Sequence, residues 1–234
     1  GCPAAQVVSS CHGAALIRKP ELAAELVHAT CKAVNIPVSV KTRLGWDTHE
    51  TLVPFCQKME EAGAKAFAIH GRRYHDKFTG KANWEPIYEL KKNVKVPVIG
   101  NGDIVTAQDA LDKIGNLDGV MVGRGTLGNP WLMRDVVDAL RGEGCWLAGS
   151  LLLDPVTSQP VTSNSSAPRT FQEKIPFIIE HCELAVRIKG EKRGMLEMRR
   201  HFSSYVKGFE GAAELRAKLV IVEKLSDARA LLGA

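Results

Sequence analysis

Four short apolar runs, each followed by a polar or glycine-rich motif and a helix-like stretch, constrain what residues 1–125 can fold into. The runs are Val38-Ser39-Val40, Ala66-Phe67-Ala68-Ile69, Val96-Pro97-Val98-Ile99 and Gly119-Val120-Met121-Val122. Each is apolar on both faces and rich in Val or Ile, as a strand covered on both sides must be. Helical patterns fill the intervals at 20–34, 48–62, 84–93 and 106–115. Pro37 and Pro97 fall at strand entrances, where a missing N–H is tolerated. Strand alternating with helix four times predicts a parallel α/β sheet.

The runs end on Lys41-Thr42-Arg43, His70-Gly71-Arg72, Asn101-Gly102-Asp103 and Gly123-Arg124-Gly125. A doubly wound sheet gathers its ligand mainly at one switch point. Polar groups at the carboxyl ends of all four consecutive strands favour a (β/α)8 TIM barrel instead. Such a barrel takes eight strands and roughly 250 residues. The fold expected is therefore the second half of a barrel in residues 1–140, with about half the barrel upstream of Gly1. The opening Gly1-Cys2-Pro3, with neither Met nor an apolar leader, is read as the start of a fragment.

Residues 141–170 change character. The segment 150–168 is rich in Ser, Thr and Pro and reads as a linker or insertion. From Phe171 the pattern is helical to the end. Ile175, Ile178, Ile179, Cys182, Ala185 and Val186 recur at three- and four-residue steps, and Leu215, Leu219, Val222, Leu225 and Leu232 predict a final helix or pair. Gly190, Gly194, Gly208 and Gly211 are read as breaks between helices. An all-α domain over 171–234 is expected. No run of 18 apolar residues is present, which argues against a membrane span. Six scattered cysteines without a CxxC pair give no metal or redox spacing and point to a reduced, cytoplasmic setting.

Several residues could carry chemistry. Cys2 is either a thiol acting as nucleophile or general acid or a small buried hydrophobe. His70 either hydrogen-bonds a ligand beside the close approach that Gly71 permits or caps its strand. Lys41 and Arg43 are read as lying on opposite faces of their strand, so that one of them faces the barrel interior. A lysine there calls for an anion or a polar ligand. Asn101-Gly102-Asp103 and Gly123-Arg124-Gly125 occupy the usual phosphate position of a barrel, with Pro130 in the first turn of the next helix. Residues 123–128 match GxGxxG literally, but a dinucleotide fingerprint opens a first βαβ unit, and this motif follows the last strand. The segment 187–207 holds seven basic and two acidic residues, the same net charge of +5 as the whole chain, with Phe202 and Tyr205 interleaved. It is either a surface for a nucleic-acid backbone or a solvated helix face.

Taken together, GCP at 1–3, GAAL at 13–16, VKTRLGW at 40–46, IHGR at 69–72, GNGDI at 100–104, VGRGTLGNPW at 122–131 and MRRHFSSYVKGF at 198–209 resemble the tRNA-dihydrouridine synthases. The resemblance covers about 1–140 and 171–234, and the stretch 144–168 has no counterpart in it. It implies a cytoplasmic, monomeric FMN enzyme that uses NADPH to reduce the C5=C6 bond of a uridine in tRNA. Cys2 is then the general acid that protonates C5. Lys41 and His70 contact the flavin ring, Asn101, Gly102 and Asp103 follow the ribityl–phosphate path, and Gly123 and Arg124 bind the phosphate. Arg43, Arg72 and Phe78 are expected against the flipped uracil or its phosphate. Arg199, Arg200 and Lys207 would grip the tRNA. Two alternatives stay open: an FMN reductase of a free pyrimidine, as in dihydroorotate dehydrogenases, and a non-catalytic RNA-binding remnant.

Overall fold

The computed structural model describes residues 1–142 and 170–234, which form two compact units. One comprises residues 1–125 and 132–142, the other 126–131 and 170–234. The expected linker, 141–170, lies almost wholly outside the described residues.

The first unit carries a four-stranded parallel sheet in the order β1 (Ser39–Arg43), β2 (Ala66–His70), β3 (Val98–Asn101), β4 (Gly119–Met121). These are four of the strands a barrel needs, joined in simple sequence order as a barrel requires. Helices α1 (Ala5–Ser9) and α2 (Pro20–Ala33), with the 3-10 turn Gly13–Arg18 between them, precede the sheet. Helices α3 (Leu52–Glu61), α4 (Glu85–Asn93) and α5 (Ala107–Ile114) make the crossovers. A 3-10 turn, Arg124–Thr126, and α6 (Leu132–Gly142) follow β4. Helix α3 starts four residues later than the periodicity predicts, because 48–51 is spent on a turn. Pro130 lies two residues ahead of α6 and not in its first turn.

Phe67, Ile69 and Val98 on the strands pack with Met59, Ile87 and Leu90 on the helices, all with under 2% of their surface exposed. Burial of this kind is worth roughly 1.5–3 kcal/mol per side chain. Gly100 is required by this packing. A Cβ there would lie 2.1 Å from the Trp84 ring, so β3 meets α4's leading tryptophan at backbone distance.

The register explains how the sheet makes a site. Arg43 pairs with His70, His70 with Asn101, and Asn101 with Met121. Residues in register share a face, so the last residues of all four strands form one row. The other face of the next register, Thr42, Ile69, Gly100 and Val120, turns toward the helices.

The second unit is helical: α7 (Phe171–Lys189), α8 (Glu191–Tyr205), α9 (Ala212–Leu219) and α10 (Leu225–Leu232). Thr170 opens α7 with a capping box, its hydroxyl accepting from the Glu173 amide while the Glu173 carboxylate accepts from the Thr170 amide. The core holds Ile178, Cys182, Met195, Met198, Phe202 and Leu219. Gly190 separates α7 from α8 as expected, but Gly194 sits inside α8. Its role is contact: a Cβ at Gly194 would stand 2.7 Å from the carbonyl carbon and oxygen of Ala185 on α7. Backbone cannot rotate aside as a side chain can. Gly194→Ala is therefore expected to lower stability by about 2 kcal/mol through overpacking, less the roughly 1 kcal/mol that Ala gains over Gly in a helix. Chemical denaturation checks the sign. A more stable Ala variant would mean that α7 and α8 do not cross this closely.

Candidate functional site

At the carboxyl ends of the strands lies a cavity of about 590 Å³, within the range of a small-molecule site. Its wall includes Gly1, Cys2 and Pro3, then Lys41, Arg43, His70, Phe78, Asn101, Gly102, Asp103, Gly123 and Arg124. Ten of the candidate site residues singled out from sequence thus meet in one place. Lys41 and Arg43 are both among them. Residues two apart on a strand share a face, so the expectation that they diverge is wrong, and the interior receives both cations.

Cys2 is held from two sides. The Gly1 nitrogen donates to the Lys41 carbonyl (3.2 Å), and the Ala14 amide donates to the Cys2 carbonyl (3.0 Å). This fixes the backbone beside β1 and leaves the thiol exposed on the cavity wall. Asn101 turns its amide nitrogen to the Met121 carbonyl (2.7 Å), tying β3 to β4 at the cavity. Asn101 leads into Gly102 (φ 135°) and Asp103, which itself takes the left-handed region (φ 51°). Gly123 has open space around it, and Arg124 is 60% exposed with its nearest carboxylate, Asp103, at 3.8 Å.

Electrostatically the cavity is cationic. Lys41, Arg43 and Arg124 face a single carboxylate, Asp103. Burial, and then the charge of Arg43, lower the pKa of the Lys41 ammonium, so an anion beside it would be stabilising. His70 is pushed down to about 4, first by burial and then by Arg43, Lys41 and Arg72, with Asp103 opposing. It is therefore a neutral ring at pH 7. A histidine whose folded pKa lies below its unfolded value near 6.5 binds fewer protons when folded. Its contribution makes stability fall as pH drops from about 6.5 toward 4. His70→Gln is expected to flatten that part of a melting-temperature profile. An unchanged slope would place the acid sensitivity elsewhere.

Three site expectations need correction. Arg72 does not reach the cavity. It is 2% exposed, and its guanidinium is spent on the Thr79 carbonyl (3.0 Å), the Gly80 carbonyl (2.6 Å) and both oxygens of Asp103 (2.7 and 2.8 Å). A charge this buried must be paired, and its ligands here are protein atoms. Arg43, although on the wall, is largely committed as well, donating to the carbonyls of Arg73 (2.9 Å) and Lys77 (2.7 Å). Those bonds shape the loop after β2 so that Phe78, 58% exposed, lies between Arg43 and Arg124, whose guanidinium carbons are 5.4 and 5.6 Å from its ring centre. In the helical unit, Phe202 and Tyr205 are core residues, 0% and 9% exposed, and not an aromatic surface.

The basic segment of that unit is only partly free. Lys189 and Arg193 pair with Glu197, and Arg199 donates to the carbonyls of Ile221 (3.4 Å) and Val222 (3.3 Å). Arg200 and Lys207 are exposed. Lys174 was missed: burial and the nearby Lys207 lower its pKa, so the two ammonium groups are neighbours. The helix pattern marked position 174 as polar and nothing more, since its partner is 33 residues away in sequence. The row of strand ends likewise brought Ile104, Val105 and Met121 to the cavity unannounced. Among the described residues no group of three or more His, Cys, Asp or Glu side chains could hold a metal ion, and no helix is long and apolar enough to cross a membrane.

A four-stranded parallel sheet whose strand ends build one cationic, glycine-lined cavity defines a β/α protein with a small-molecule-sized cavity at the carboxyl ends of its strands. Residues 1–233 match the family model for dihydrouridine synthase (Dus), and the chain belongs to that family. A probable tRNA-dihydrouridine synthase 1 of Synechocystis sp. is 34% identical over 236 residues, 99% of this chain and 60% of that protein. A probable tRNA-dihydrouridine synthase of Rickettsia conorii is 34% identical over 97% of this chain and 66% of its own length. One of Mycobacterium leprae is 36% identical over 100% of this chain and 57% of its own length. The chain thus spans about three-fifths of these relatives.

Proposed function

We propose that this chain is the part of a tRNA-dihydrouridine synthase that carries the general acid, the phosphate end of an FMN site and a tRNA-binding helical unit. The observation that supports this most directly is the cavity itself, three cations and a run of backbone glycines with one thiol on its wall. The fit to FMN rests on the same groups. Gly123 leaves room for a phosphate to approach the backbone, and Arg124 extends an exposed guanidinium beside it. Lys41 and His70, on adjacent strands, offer hydrogen-bond donors to a polar ring. When bound, FMN recharged by NADPH supplies the hydride that reduces the uridine C5=C6 bond. Cys2 gives its thiol proton to C5 and recovers one from solvent. Phe78 presents a ring face to a uracil that has left its stack. Arg200, Lys207 and Lys174 hold tRNA phosphates.

The test is nucleoside mass spectrometry of tRNA from a dihydrouridine-free host expressing the full-length gene. Dihydrouridine is the expected product. A yellow protein that makes none would point to another pyrimidine substrate, and a colourless one to an RNA-binding remnant. In the active enzyme, reversing charge at Arg200 and Lys207 together is expected to raise KM for tRNA about tenfold or more and to leave NADPH-driven flavin reduction unchanged. An unchanged KM would remove these residues from the tRNA surface.

A further inference from the structure

Arg72 is the most heavily engaged side chain near the cavity, and the mechanism above gives it no role. Four of its contacts are to oxygens on two segments: the carbonyls of Thr79 and Gly80, and the two carboxylate oxygens of Asp103. Asp103 is in turn fixed by the Ala82 amide, which donates to its second oxygen at 2.7 Å. The guanidinium therefore cannot turn. Its remaining nitrogen, Nη1, stands 3.4 Å from Nε2 of His70. The contact is long, and it is favourable in one tautomer only. A guanidinium carries only donors and is always charged. An Nε2–H would place two donors face to face, whereas a bare Nε2 accepts from the guanidinium.

We propose that Arg72 is a positioning residue that locks His70 as the neutral Nδ1–H tautomer, a fixed hydrogen-bond donor to an acceptor atom of the ring bound in the cavity. The orientation agrees. Of the His70 ring atoms, Cδ2 and Nε2 are the ones that approach Gly102, at 3.5 and 3.7 Å from a Cβ built there, so the Arg72 side and the Gly102 side of the ring coincide. The Nδ1 edge is engaged by neither and is available to a ligand in the cavity that His70 lines. Among the described residues Nδ1 has no hydrogen-bond partner, and it is not a buried unsatisfied atom. The charged groups around the ring are Lys41 and Arg43 on β1, Arg72 after β2, and Asp103 after β3. Burial first, and then three cations against one carboxylate, keep it from taking a second proton. A ring so held cannot serve as an acid near neutral pH.

This inference rests on the proposed function only for the identity of the ring that is bound. The experiment is 15N NMR of the full-length flavoprotein labelled at histidine, with His70→Asn assigning the signal. The expected spectrum shows the Nδ1–H pattern from pH 8 to pH 5.5 without titration. Titrating riboflavin 5′-phosphate into the flavin-stripped protein should move the Nδ1–H proton downfield. In Arg72→Gln, whose amide can accept as well as donate, both tautomers should appear, and the titration midpoint should rise by about one unit or more. Asp103→Asn keeps Arg72 in place and should retain the wild-type tautomer. It carries the comparison if Arg72→Gln fails to fold. A wild-type Nε2–H pattern, a doubly protonated ring at pH 7, or an unchanged tautomer in folded Arg72→Gln would overturn the assignment. Dihydrouridine formation with the wrong tautomer would sink this inference alone. The expected tautomer in a protein that makes no dihydrouridine would sink the reaction and leave the inference standing.

Discussion

Cys2→Ala in the full-length enzyme is expected to bind FMN and oxidise NADPH as the parent does, while single-turnover reduction of tRNA uridine slows by about 10²–10⁴-fold, the usual worth of a positioned acid. The separation follows from where the residue sits. Cys2 lies on the cavity wall, but its structural bonds are made by backbone, through the Gly1 nitrogen and the Cys2 carbonyl. An alanine keeps those bonds and removes only the exposed sulfur. Nothing in the core collapses, because the side chain is not part of it. The flavin's contacts, assigned to Lys41, His70, Gly123 and Arg124, are untouched. Stopped-flow loss of flavin absorbance with NADPH, followed by reoxidation on adding tRNA, resolves the two half-reactions. Slowing confined to the second is the signature of lost proton delivery. Equal rates for both proteins would remove Cys2 from the chemistry and return the search to the other donors of the cavity. Slowing of both would mean that the thiol shapes the flavin site instead.

Much of this site could be read from sequence because of one geometric fact. Parallel strands in register bring their carboxyl ends into a row, so motifs that close consecutive strands must meet. Arg43, His70 and Asn101 are neighbours for that reason, and short apolar runs punctuated by glycine were enough to find them. What the sequence could not reveal is how each polar side chain is spent. Arg72 and Arg124 both follow a strand end beside a glycine, yet one is buried among carbonyls and the other is 60% exposed. That difference is set by the path of the loop 73–82, which depends on Arg43 reaching two of its carbonyls across 30 and 34 residues. Phe202 and Tyr205 failed for a related reason. An aromatic at helical spacing next to basic residues looks alike whether it faces a core or an RNA, and only tertiary packing decides. Gly194 looked like a helix break because helix ends favour glycine. The close crossing that requires it lies in the other helix.

Asp103→Ala should be the most destabilising single change at the site, by about 3 kcal/mol, toward the low end for breaking a buried ion pair because Asp103 is itself 32% exposed. The loss comes less from the missing attraction than from what remains. Arg72, with 3% of its side chain exposed, would keep a full charge with only two carbonyls and a ring nitrogen to satisfy it. Burial alone would raise the pKa of the Asp103 carboxyl, but the Ala82 amide and the Arg72 guanidinium outweigh burial and hold it below its ordinary value. The pair's contribution is therefore complete at neutral pH and is lost only as pH falls below about 4, through the lowered pKa. For a unit of this size the loss amounts to roughly 6–12 °C in melting temperature at pH 7. The variant and the parent should converge in acid. The decisive arm is a double-mutant cycle. If the penalty is an orphaned charge, Arg72→Met on the Asp103→Ala background removes that charge and recovers stability, so the two changes cost much less together than their sum. Simple additivity would mean that each residue acts through its own loop contacts. The strut joining β2 to the Asn101–Asp103 turn would then be two independent anchors rather than one pair.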